Sequence, residues 1–71
     1  MELIEMQAVM EAIVYVADDP VKPEQFKDIF PDENKEAIEQ ALKGMVENFN
    51  SRPGGMIIRE VAGGYRMSTR P

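Results

Sequence analysis

Two carboxylate pairs, Asp18-Asp19 and Asp32-Glu33, are the first residues in this chain that could do chemistry. Neighbouring acids can share a proton or hold a divalent cation. Each pair also has a plainer use. Asp18-Asp19 precedes Pro20, in a turn where short acids hydrogen-bond the backbone. Asp32-Glu33 stands where a helix begins, and acids suit that positive end. The chain has no histidine and no cysteine, so the usual general base, thiol nucleophile and soft metal ligands are missing. The glycine pairs Gly54-Gly55 and Gly63-Gly64 lack the Lys-Ser/Thr of a phosphate loop and the spacing of a dinucleotide fingerprint. The sequence predicts no catalytic residue, no metal site and no bound cofactor, which places an enzyme last among the function classes.

Charge is the next chemistry on offer. The 71 residues carry a net charge of −5, unevenly spread. Residues 1–50 hold four lysines against twelve acids, whereas residues 51–71 hold four arginines against Glu60 alone. An acidic body with a basic end suits either plain solubility or contact with an acidic surface or phosphate backbone. No basic leader or cleavage motif follows Met1, and the longest apolar run, Ala12 to Ala17, is far short of the ~20 residues of a membrane span. A soluble cytoplasmic protein is the expectation.

The elements that must position these residues read as helix, helix, helix, strand, strand. Residues 3–17 favour helix, and no Gly or Pro interrupts them. Only Glu5, Gln7 and Glu11 among them are polar. On a helical wheel Leu3, Met6, Met10, Ile13, Val14 and Ala17 form one stripe. Ile4, Ala8, Val9, Ala12, Tyr15 and Val16 cover much of the rest, and Gln7 and Glu11 mark a wet edge. So apolar a helix is either wrapped on both sides by later elements or faces the core with one stripe and a partner with the other. The second reading is preferred, because so short a chain has little material to cover both sides.

Pro20 ends this helix. Val21-Lys22-Pro23-Glu24 starts a short second one, with Pro23 in the first turn and Phe26, Ile29 and Phe30 as its buried side. Pro31 stops it. Asp32 is the expected N-cap of a third helix over residues 33–49, whose apolar face is Ala37, Ile38, Ala41, Leu42, Met45, Val46 and Phe49. Met56 to Val61 and Tyr65 to Thr69 are the strands. A Gly63-Gly64 loop places Ala62 opposite Tyr65 and Ile58 opposite Thr69. Met56, Ile58, Tyr65 and Met67 then face the core, and Ile57, Arg59, Val61, Arg66 and Arg70 face outward. The result is an α+β winged helix: three helices followed by a C-terminal β-hairpin wing.

A winged helix binds DNA or protein, and the third helix weighs against DNA. It would place Asp32, Glu33, Glu36, Glu39 and Glu47 against Lys35 and Lys43 in the major groove, without an arginine to read guanine. Only Arg59, Arg66 and Arg70 on the wing could touch phosphates. A DNA-binding winged-helix transcriptional regulator therefore stays as the alternative. The candidate protein interface is Ile4, Ala8, Ala12 and Tyr15 on the first helix with Ile57 and Val61 on the hairpin.

The segment Val61-Ala62-Gly63-Gly64-Tyr65-Arg66-Met67-Ser68-Thr69-Arg70-Pro71 resembles the hairpin signature of the segregation and condensation protein B (ScpB) family. Ile13 to Pro20 is similar to the end of that family's apolar first helix and its acidic-Pro turn. Val21 to Phe30, VKPEQFKDIF, resembles its short second helix. The likeness runs over essentially all 71 residues, and the AGGYR hairpin is its specific part. Several positions that are Leu in a typical member are Met or Ala here. The resemblance implies a winged-helix interaction module, a non-enzymatic subunit of the bacterial SMC–kleisin complex in chromosome condensation and segregation. It also implies a homodimer, the kleisin subunit ScpA as partner and SMC through it. Members have two winged-helix domains, so residues 1–71 correspond to the N-terminal, dimerising one, with a second domain expected beyond Pro71.

Overall fold

Met6, Met10 and Val14 recur at the spacing of one helix face, and the buried side of the first helix is built on them. The computed structural model describes all 71 residues, and this helix, α1, runs Leu3–Val16. Gln7 completes its buried side instead of marking a wet edge. The Gln7 side-chain Nε2 donates to the Ala41 carbonyl at 3.1 Å. That contact explains Gly44, since a Cβ there would stand 2.6 Å from Gln7 Nε2. Leu3 and Ala17, expected in the core stripe, are exposed.

The second helix, α2, spans Pro23–Ile29 and is shorter at its start than the sequence suggests. Val21 is not helical. It pairs with Tyr65 as an isolated antiparallel bridge, its N–H donating to Tyr65 O at 2.9 Å and its carbonyl accepting from Tyr65 N–H at 2.8 Å. Phe26 and Phe30 are buried as expected, but Ile29 is exposed. The third helix, α3, spans Lys35–Ser51, and its N-cap is Asn34, not Asp32. Asn34 Oδ1 accepts from Ala37 N–H at 2.7 Å. The chain first closes a turn, with Glu33 N–H on Phe30 O at 3.1 Å, so capping begins two residues later. Lys27 ties this turn to α2 by donating to the Pro31 and Glu33 carbonyls.

Strands β1 (Met56–Val61) and β2 (Gly64–Thr69) form the antiparallel hairpin. Its loop is Ala62-Gly63, not Gly63-Gly64, so Ile58 pairs with Met67 and Val61 with Gly64. The register is displaced by two positions from the expected one. Side chains alternate with period two, so every residue keeps its expected face. Ala62 and Gly63 both have positive φ, 53° and 80°, as a two-residue turn of the mirror type requires. Ala62 holds that conformation against its own Cβ. Ala62→Gly is expected to stabilise the domain by about 0.5–1 kcal/mol, less than the full left-handed penalty because glycine gains freedom when unfolded. A rise in urea midpoint at unchanged slope checks it.

Gly64 serves a different purpose. It is buried, and a Cβ there would meet Pro20 Cβ at 2.9 Å and Val21 O at 3.1 Å. The glycine pair thus divides its labour: Gly63 turns the chain, and Gly64 lets the Pro20-Val21 segment approach the sheet. The opposite edge is closed by a side chain. Asn50 Oδ1 accepts from Ile58 N–H at 2.8 Å, and Asn50 Nδ2 donates to Ile58 O at 3.0 Å. The core joins Met6, Met10 and Val14 to Val21, Phe26, Phe30, Ile38, Ala41, Leu42, Met45 and Ile58.

Candidate interaction surface

The outward line of α1 remains uncovered. Ile4 is 79% exposed, Tyr15 70% and Val16 74%. Ala8 and Ala12 lie exposed between them. Large side chains this open, aligned along one helix, are the kind of patch that partners cover. Beside the line runs a shallow groove of about 400 Å³, lined by Ala8, Glu11, Ala12, Tyr15, Phe49, Met56 and Met67. The last three were read from sequence as core residues. Phe49 and Met67 pack on the core with one side and leave the other as groove wall, and Met56 is half-buried beside them, a division that periodicity cannot reveal.

Ile57 and Val61 do not join this surface. They lie on the other face of the hairpin, Ile57 half-buried and Val61 exposed. The fold thus separates the six candidate interface residues into an α1 group and a hairpin group.

The arginines also separate. Arg70, expected as a wing contact, is turned onto the exit of α3. Its guanidinium donates to the carbonyls of Gly54, Asn50 and Arg52 at 2.9, 2.9 and 3.2 Å. These carbonyls end a helix and need donors. Arg52 grips both carboxylate oxygens of Glu11, at 3.3 and 2.9 Å, and lies over the Phe49 ring at 5.4 Å. Arg59 and Arg66 are exposed and face each other across the strands.

The Tyr65 phenol is pushed above its ordinary 10.0 by burial, then by Glu60 and Glu39. No three metal-ligating side chains converge. The cleft between α2 and α3, about 630 Å³, mixes Glu24, Asp28 and Glu39 with Lys27 and Lys35 over Ile38. Helix α3 itself carries Glu36, Glu39 and Glu47 against Lys35 and Lys43, and Asp32 and Glu33 lie just before its start. The groove-reading end of the motif is acidic. No helix is long and apolar enough to cross a membrane.

Three helices, a hairpin and the Val21 bridge define a winged-helix domain that leaves an apolar face of its first helix exposed. The family model described as segregation and condensation complex subunit ScpB matches residues 8–71, and the chain belongs to the ScpB family. It is 30% identical over 71 residues to segregation and condensation protein B of Ruminiclostridium cellulolyticum, covering all of this chain and 37% of that protein. It is also 30% identical to the segregation and condensation protein B homolog of Coxiella burnetii, again over its whole length and 34% of the relative. The chain therefore spans about a third of the length of these curated relatives.

Solved structures agree on the fold. ScpB from Mycobacterium tuberculosis superposes with a TM-score of 0.82 at 26% identity, over 99% of this chain and 43% of that one. A dimer of an ScpB N-terminal domain complexed with an ScpA peptide gives 0.83 at 16% identity, over 96% of this chain and 84% of that one.

Proposed function

We propose that this chain is a dimerising interaction module of an SMC–kleisin complex, a non-enzymatic subunit acting in chromosome segregation and condensation. Residues 1–71 would serve as the N-terminal winged helix of a two-domain protein. Its partners would be a second copy, the kleisin ScpA and, through it, SMC, in the cytoplasm at the nucleoid. The observation that carries this reading is the exposed line Ile4, Ala8, Ala12 and Tyr15 on α1. A standard interface takes roughly 800 Å² per partner, about a sixth of the 4835 Å² surface of this domain. The related N-terminal domain solved as a dimer with an ScpA peptide supports the same reading.

Sedimentation equilibrium of the domain, alone and with a kleisin peptide, tests it. The wild type is expected to dimerise. Tyr15→Glu is expected to weaken association at least tenfold while far-UV circular dichroism stays unchanged, because the side chain is open to solvent. A wild-type domain that stays monomeric and ignores the kleisin peptide would sink the proposal. Strong binding to duplex DNA at physiological salt, lost on neutralising Arg59 and Arg66, would replace it with the DNA-binding regulator.

A further inference from the structure

Arg52 and Arg70 are both committed inside the molecule, to Glu11 and to three carbonyls. The Arg59 and Arg66 guanidiniums make no hydrogen bond or ion pair within the molecule, yet the two residues stand directly opposite each other in the hairpin. Like charges so placed cost stability. Glu60, the acid next to Arg59 in sequence, alternates to the other face, opposite Tyr65. The two free guanidiniums share their face with Ile57 and Val61, two positions to either side of Arg59 on β1. The other face of β1 packs on the core through Ile58; on this face Arg59, Val61 and Arg66 are exposed, while Ile57 and its neighbour Ser68 are half-buried.

We propose that the outer face of the hairpin is a second protein-docking surface, separate from α1, which takes an acidic segment of a partner protein bearing aliphatic residues. Each guanidinium offers a planar fork of donors that matches a carboxylate. Ile57 and Val61 give aliphatic side chains of the same segment something to bury against. A nucleic-acid backbone would satisfy the arginines but leave the exposed Val61 and the open side of Ile57 without an apolar partner. The −5 net charge also opposes a duplex.

The test is an NMR titration of the isotope-labelled 71-residue domain with a synthetic peptide alternating glutamate and leucine. The same peptide with glutamine for glutamate, and a short DNA duplex, are the comparisons. The acidic peptide is expected to shift the Arg59 and Arg66 side-chain Nε–H signals and the β1 and β2 amides. The glutamine peptide should shift neither set. The double variant Arg59→Gln/Arg66→Gln should bind at least tenfold more weakly. It should also melt at or above the wild-type temperature, because the like-charge opposition is gone, so lost binding cannot be lost folding. Tyr15→Glu should leave peptide binding unchanged, which separates this surface from the α1 proposal. Shifts confined to α1, no shifts at all, or tighter binding of the duplex through the same arginines would overturn it.

Discussion

Asn50→Ala is expected to destabilise the domain by about 2–6 kcal/mol, because it strands both the N–H and the carbonyl of Ile58, each at about 1–3 kcal/mol. Ile58 itself is 2% exposed. A domain of this size holds only about 3–5 kcal/mol in reserve, and the variant should sit near its unfolding midpoint at room temperature. Asn50→Asp separates the two bonds. Its carboxylate still accepts from Ile58 N–H but places negative charge against Ile58 O. This variant should recover stability, relative to wild type, as pH falls and the carboxyl gains a proton to donate. Urea melts at neutral pH and near pH 4 check both substitutions. A cost below 1 kcal/mol for Asn50→Ala would mean that the amide is a passenger.

Gly64→Ala attacks the opposite edge. The new Cβ would press on Pro20 Cβ, Pro20 C and Val21 O, and two of these belong to backbone that cannot swing aside. The expected cost is about 1–3 kcal/mol, as for overpacking a filled site, and a melting point lower by about 4–20 °C. Gly63→Ala is the informative comparison, since nothing lies near its Cβ and only its φ of +80° resists. Hydrogen exchange should tell them apart. Gly64→Ala should release the Val21 and Tyr65 amides, which bond across the bridge, whereas Gly63→Ala should loosen the turn first.

Much of this architecture is legible in the residues. The 3.6-residue spacing of Ile38, Ala41, Leu42 and Met45 marks the buried face of α3, and all four are buried. The alternation of Met56, Ile58, Tyr65 and Met67 gives the correct inner face of the hairpin even with the register displaced, because a slip of two preserves the pleat. What escapes the sequence is set by contacts between distant segments. Val21 looks like the start of a helix until Tyr65 offers it a bridge. Gly64 looks like a turn residue until Pro20 is seen against it. Asp32 and Asn34 are equally good caps by type, and the turn from Phe30 to Glu33 decides between them.

The candidate surface is legible in the same uneven way. Ile4, Ala8, Ala12 and Tyr15 follow from a helix too apolar to be covered, and they are exposed. Ile57 and Val61 sit on a different face, which no periodicity within one strand could tell from the first. Arg70 looks as free as Arg59 in the sequence. Only the fold brings it to the last carbonyls of α3.

The distribution of methionine has a use of its own. Met6, Met10 and Met45 are sealed in the core, while Met56 and Met67 line the groove beside α1. Thioether oxidation follows access, so brief exposure to peroxide should mark the groove pair before the sealed three. The molecule thus carries its own footprinting probes on one candidate binding face and its own unreactive standards in the interior. The ratio of the two signals by mass spectrometry would report occupancy of that groove without any added label.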